Sequence, residues 1–501
     1  MSDGADDVAP TTVSGLLRHA SFALSGTLVS ALAGFATVIL CVRLLGAERF
    51  GTLTIIQSVL GLLGLMQSGL ALAVMHAASS DDGLNEDATA RVAAVQRLTT
   101  FAAIILALAG TVLVVALPHL FRIAPRDVSD ARSTCVLLTC ATAVGWFGTV
   151  PNSLMAAGLR YDVVFWLSLA EIVSRLGLTA ALVPSLGMSG VGLATLIAAV
   201  GPRAFQRRWC SVHHPWFRWF PRDVGRSDLS AAVRFAGPLF VTSVTTVLTA
   251  TSDAIVIGAA VGSPGVTVFR VGTFLPVMAE TGGQSLYSVL FPRVRRIDDR
   301  GEQEAATREV GSWLAYLGGA VFAGLAWFGP GILTLAVGST PATTRHVLAF
   351  YCVILAVDLC LHPWVMLLVA RGLQGRMARL SPLELVVNIA LTTGFVIAFG
   401  PIGSAYAAAA SYGLADLVLY PLITRDTYSR PGGVLFARHG LGPGAAGAAS
   451  AVTLSLALGR VLPNGAPDIA GLVLAVAITL GIGYWALPRR RRDLVARALR
   501  G

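Results

Sequence analysis

The stretch EIVSRLGLTAALVPSLGMSGVGLA, residues 171–194, carries charges only at Glu171 and Arg175 and none thereafter. Pro184 and Gly187 punctuate it, so it reads as the end of one apolar helix, a tight turn and the start of the next. A second copy follows 213 residues later, ELVVNIALTTGFVIAFGPIGSAYA at 384–407, and aligns with it without gaps. Eight of the 24 positions are identical, among them Glu171 with Glu384, Gly187 with Gly400 and Gly190 with Gly403. At a similar offset, Leu45-Gly46 matches Val261-Gly262. A duplication of this period predicts two lobes of six spans each. Six is even, so the lobes share one orientation and relate by an axis along the membrane normal.

Composition sets the solvent. The chain has 501 residues, 55% apolar and only 13% charged, against roughly a quarter charged in a soluble domain. Mean hydropathy is +0.72. Too few polar residues remain to coat soluble cores, which excludes soluble, disordered and disulfide-rich secreted classes. Apolar runs of about 20 residues predict an all-α polytopic membrane protein of about fourteen transmembrane helices. They lie near 20–41, 51–77, 95–118, 134–157, 162–183, 188–206, 232–258, 266–292, 311–337, 346–370, 380–399, 403–424, 442–462 and 468–487. The expected domains are a six-helix lobe (1–206), a basic aromatic linker (207–230), a second lobe (231–430), and two further helices with a basic tail (431–501).

All 37 basic residues are arginine, and the net charge is +10. With the N-terminus inside, cytoplasmic segments hold a roughly fourfold excess of arginine over outside loops, as the positive-inside rule requires. That distribution argues for membrane topology over nucleic-acid binding. It also sets the expected orientation, with both termini cytoplasmic. The polar, acidic start MSDGADDVAP has no cleavage site after the first apolar run, which reads as an uncleaved anchor. In the linker RRWCSVHHPWFRWFPRD (207–223), Cys210, His213 and His214 crowd too closely for a tetrahedral metal site. Arginine and aromatics beside a bilayer point to headgroups, and the tail RRRRDLVARALR reads the same way, with anionic membrane lipids as partners. The six cysteines form no CxxC pair.

No P-loop, GxSxG or HExxH motif is present, and outside loops are short. The chemistry expected is transport without a catalytic site, cofactor or metal. Charges inside apolar runs are then the informative residues, because each costs several kcal/mol unless it faces a cavity or a partner. They are Glu171, Arg175, Asp253, Arg270, Glu280, Asp358, His362, Glu384 and Asp416, with Arg43 at the end of the first span. Two readings stand for each. Glu171 and Arg175 are spaced i,i+4 and either neutralise each other or line a cavity. Asp358 and His362 repeat that spacing. Glu384 repeats Glu171 but has Asn388 where the first half has Arg175, and it is either interfacial or cavity-lining. Arg270 either snorkels or faces a substrate, and Arg43 is an interface anchor or a ligand.

The stretch VRLLGAERFGTLTIIQSVLGLLGLMQSGL (42–70) and FAGPLFVTSVTTVLTATSDAIVIGAAVG (235–262), with the turns Ala156 to Leu159 and Ala370 to Leu373, resemble the multidrug/oligosaccharidyl-lipid/polysaccharide (MOP) flippase superfamily. Within it the chain is similar to the polysaccharide transporter (Wzx-like) branch. The resemblance implies a two-lobed flippase that moves a polyprenyl-pyrophosphate-linked oligosaccharide by alternating access, for exopolysaccharide, capsule or cell-wall synthesis. Glycan polymerase machinery is an implied partner. A pyrophosphate needs cationic donors, for which Arg270, Arg43 and Arg175 are the candidates. Asp253, Asp358, Asp416, Glu171 and Glu280 are the candidates for proton or cation coupling. Alternatives are a cation-coupled multidrug exporter, a peptidoglycan-precursor flippase of the lipid II type, and an enzyme or scaffold of glycan assembly.

Overall fold

A computed structural model describes residues 13–63, 70–71, 74, 86–121, 123–158, 160–221, 224–295, 297, 299–371, 373, 381–424, 427–428 and 432–461. Helix dominates, and the described residues contain no strand. This follows from the sequence: in hydrocarbon every backbone group must be satisfied within its own segment, and a helix does this without an edge. Most hydroxyls inside the helices are satisfied the same way. Thr37, Thr54, Thr99, Thr139 and Thr195 each donate to the carbonyl four residues back.

The helices are α1 (Val13–Leu63), α2 (Glu86–Leu120), α3 (Val128–Trp146), α4 (Thr149–Ala157), α5 (Tyr161–Leu186) and α6 (Met188–His213). They continue with α7 (Arg226–Ala260), α8 (Ser263–Arg295), α9 (Arg300–Val337), α10 (Ala342–Ala370), α11 (Ser381–Phe399) and α12 (Ile402–Leu414). A π-helical turn, Ala415–Leu419, extends α12 into α13 (Tyr420–Ile423). Then come α14 (Gly432–Phe436), a second π turn (Ala437–Leu441) and α15 (Gly442–Val461). Eight of the described helical segments are long and apolar enough to cross a membrane. The chain is a multi-pass helical membrane protein. The expected span at 468–487 lies outside the described residues, as does much of the one at 51–77.

Helices α2–α6 pack mainly among themselves, as a first bundle, and α7–α15 as a second, while α1 packs on both, along α5 and along α7 and α8, and α2 also meets α7. Among the described residues five glycines take positive φ: Gly46, Gly187, Gly262, Gly338 and Gly400. Each occupies a turn that the arginine count assigns to the outside, where a side chain would be strained. The repeated stretch folds twice in the same way. A Cβ on Gly190 would stand 2.8 Å from the backbone of Leu182, and one on Gly403 would stand 2.0 Å from the carbonyl oxygen of Phe395. Both glycine pairs and their neighbours keep the 213-residue offset, so each hairpin is closed by backbone-to-backbone contact that only glycine permits.

Candidate functional site

Four helices of the second bundle place polar side chains around Asp253, which is 5% exposed. Its Oδ2 accepts from the Tyr351 hydroxyl of α10 at 2.8 Å, and its Oδ1 accepts from the Thr392 hydroxyl of α11 at 2.8 Å. One turn before Thr392, Asn388 donates to Ser411 of α12 at 3.0 Å and accepts from Ser252 of α7 at 3.3 Å. Thr392 is unlike most threonines of this chain, because its hydroxyl is spent across helices instead of on its own backbone. Its neighbour Thr393 does bond back, to Ile389. The result is a buried carboxylate held by neutral donors, with no arginine in ion-pair range among the described residues. Such a group accommodates a proton or a small cation.

A second acidic site lies in the same bundle. The carboxyl groups of Glu280 on α8 and Asp358 on α10 lie close together, and Gln284 donates to Glu280 Oε1 at 2.9 Å. Asp358 therefore has an acidic neighbour on another helix as well as His362 four residues along its own. Glu384 and Tyr412 lie within electrostatic range of Asp358. Asp416 is placed in the π-helical turn, and its side chain lies outside the described part.

The first bundle is basic instead. Glu171 pairs with Arg203 of α6 at 3.5 Å, not with Arg175, because α5 and α6 pack side by side and bring Arg203 closer. Arg203 also donates to Gln206, which in turn donates to Asn152. It lies flat on Gly148, where a Cβ would meet its guanidinium carbon at 2.5 Å. Arg175 is left with no carboxylate among the described residues, and its buried Nε has no hydrogen-bond partner. It lies within electrostatic range of Cys41 on α1.

Arg270 approaches α1 from the opposite bundle. One turn along α8, Phe274 stacks on Phe35 of α1 with ring centroids 5.5 Å apart, so Arg270 shares the face of α8 that meets α1. Its side chain is exposed and forms no ion pair among the described residues. Two cations without carboxylate partners thus flank α1, one from each bundle. The second bundle keeps its acids apart from them.

Arg43 has a different setting. Its Nε and Nη2 donate to the carbonyl oxygens of Ala336 and Leu335, each at 2.6 Å, at the last turn of α9. Free carbonyls and the negative end of the helix dipole make that turn a good guanidinium acceptor. Nearby, Thr267 of α8 donates to the carbonyl of Ala47, and Gly51 lies against the Ser263 carbonyl so closely that a Cβ would stand 1.8 Å from it. These contacts close the two bundles together at the glycine-turn end. Sequence reasoning missed Tyr351, Asn388, Thr392 and Ser411, whose signal was a neutral polar stripe (Asn388, Thr392) on one face of α11. In the linker, Trp209 stacks on His213 at 4.5 Å.

Comparison with known proteins places this geometry. A family model described as polysaccharide biosynthesis protein matches residues 16–298. No curated protein matches. Among solved structures, one described as lipid II flippase MurJ in an inward closed conformation superposes with a TM-score of 0.73 at 13% identity, covering 95% of this chain and 99% of that one. A multidrug resistance MATE transporter of the MOP superfamily, inward-facing, gives 0.59 at 17% identity over 79% of this chain and 96% of that one. The Vibrio cholerae MATE transporter VcmN in its bent form gives 0.53 at 16% identity over 84% and 99%. These likenesses concern the fold, and the family match covers more than half of the sequence. The chain belongs to the polysaccharide biosynthesis protein family.

Proposed function

We propose that this membrane transporter carries a polyprenyl-pyrophosphate-linked oligosaccharide across the bacterial plasma membrane by alternating access, with both termini cytoplasmic. The observation that carries the reading is the pair of arginines, Arg175 and Arg270, left without carboxylate partners on either side of α1. A diphosphate is the ligand such a pair suits, since each guanidinium offers a fork of donors to phosphate oxygens. The glycan would travel in the polar space between the bundles, and the prenyl chain would stay in lipid. Glycan polymerase machinery would take over the delivered unit.

Coupling is assigned to the acids of the second bundle. Asp253 and the Glu280–Asp358 pair would exchange protons or a cation as the bundles rock, Asp416 contributing from the π turn and Glu171 from the first bundle through Arg203. Arg43 serves this cycle by closing the outer end. The chain is assigned no catalytic step of its own.

The test is accumulation of lipid-linked oligosaccharide in a deletion strain complemented with wild type or Arg270→Ala. Build-up on the cytoplasmic leaflet that wild type clears and the variant does not supports the reading. Absence of any lipid-linked intermediate overturns it and favours a cation-coupled exporter.

A further inference from the structure

A groove of about 620 Å³ lies between helices α5 and α6, lined by Leu167, Ser174, Gly177, Ile197 and Gly201 among others. Almost none of the apolar stretch of α5 is covered by protein, so its apolar wall is open to acyl chains in a bilayer. Its walls are apolar apart from Ser174.

Two of the lining glycines are informative. Glycine in a helix interior costs about 1 kcal/mol relative to alanine, and in this chain many helical glycines have a clear reason, such as Gly190, Gly403 and Gly51 at backbone contacts. Gly177 and Gly201 have none of that kind, since a Cβ on either would meet nothing within 4 Å. What they leave is open volume. Their counterparts in the second repeat, at the same 213-residue offset, are Ala390 and Leu414, so this pair of glycines is specific to one half of the duplication.

The groove has a charged mouth. Ile197, Gly201 and Arg208 fall on one stripe of α6 (i, i+4, i+11), and Arg208 lies about 10 Å further along the helix from Gly201. Arg208 is exposed and has no acidic partner among the described residues. On the neighbouring helix start, Arg160 is already paired with Asp162. Phe205 and Trp209 flank Arg208, and the exposed Trp166 stands on α5 near the same end. An apolar slot ending in a free guanidinium and an aromatic belt is complementary to one phospholipid, with its acyl chain between the helices and its phosphate at the arginine.

We infer that the α5–α6 groove is a fixed binding site for an anionic phospholipid of the leaflet facing Arg208, its chain lying over Gly177 and Gly201 and its phosphate on Arg208. A lipid held there anchors the first bundle in that leaflet during the cycle.

Native mass spectrometry of the full chain in detergent, titrated with phosphatidylglycerol or phosphatidylcholine, tests this. The expected result is one retained phosphatidylglycerol per chain, with apparent affinity falling at least tenfold in both Gly201→Leu and Arg208→Gln and unchanged in Arg345→Gln. Leucine at 201 fills open space, and a thermal melt alongside checks that it folds. Equal binding of both lipids, or unchanged phosphatidylglycerol binding in the two variants, overturns the proposal. So does a dimer of the wild-type chain that Gly201→Leu dissociates without loss of lipid, since a second copy would then be the occupant.

Discussion

Arg43 at the end of the first membrane helix donates two hydrogen bonds to the carbonyls of Leu335 and Ala336, nearly 300 residues away and in the second bundle. Two charge-assisted bonds to a helix end, added to the Thr267–Ala47 bond, stabilise the closed outer seam without fusing it. Each is strong enough to bias an equilibrium and weak enough to break in a cycle.

Removing this latch is expected to shift the balance toward a state open at the glycine-turn end. Cys41 is two residues before Arg43 and 1% exposed, so it reports on the seam. In Arg43→Ala, labelling of Cys41 by a membrane-impermeant maleimide is expected to be about tenfold faster, which corresponds to about 1.4 kcal/mol of lost closure. Equal labelling rates would remove the latch role.

Gly51 makes a stronger test of the same seam. A methyl group there would overlap the Ser263 carbonyl, so Gly51→Ala is expected to abolish export while the folded chain still reaches the membrane. Gly61, ten residues further along α1, has open space where a Cβ would go. Gly61→Ala is therefore expected to keep export and gain up to about 1 kcal/mol in stability. Export assays and thermal melts on the two variants separate seam closure from general intolerance of alanine.

For Asp253, the hydroxyls of Tyr351 and Thr392 fix the carboxylate without neutralising it. Asp253→Asn keeps the shape and removes the titratable charge. Its export is expected to lose its response to an imposed ion or proton gradient, and Thr392→Val is expected to weaken that response in the same direction. Gradient-driven export from vesicles reads this directly. An unaltered gradient response in Asp253→Asn would move coupling to the Glu280–Asp358 pair.

Arg371 is structural. It donates to Gln303, Glu304 and the carbonyls of Arg300 and Thr427, and it lies over the Tyr428 ring. Its side chain is 6% exposed and that of Glu304 is 4%. Arg371→Ala removes these bonds together with the ion pair to the buried Glu304, with an expected cost of about 3–5 kcal/mol. Glu304→Gln in the same chain should restore part of the loss, measured by thermal unfolding in detergent.

How much of this was legible in sequence depends on where each residue finds its partner. The paired glycines Gly187 and Gly400, and Gly46 and Gly262, were readable because a repeat preserves backbone turns that only glycine takes. Asp253 was readable because a carboxylate inside an apolar run has no bland composition to hide in. Its partners were not, since serine, threonine and asparagine are ordinary in membrane helices and mostly bond to their own backbone. The ion pair of Glu171 was misdirected by proximity. Arg175 is four residues away in sequence, yet packing of α5 on α6 brings Arg203 to it first. The acceptors of Arg43 are backbone carbonyls, which leave no trace in residue identity.

The central claim is that a lipid-linked diphosphate glycan crosses between the bundles with Arg175 and Arg270 as its phosphate donors. The most direct measurement is flipping of a fluorescent polyprenyl-pyrophosphate oligosaccharide in proteoliposomes holding the purified chain, its Arg175→Gln and Arg270→Gln variants, and empty vesicles. The account expects wild-type flipping well above empty vesicles and a loss of at least tenfold in each variant, with protein insertion unchanged. Flipping that survives both substitutions, or wild-type vesicles indistinguishable from empty ones, would contradict it.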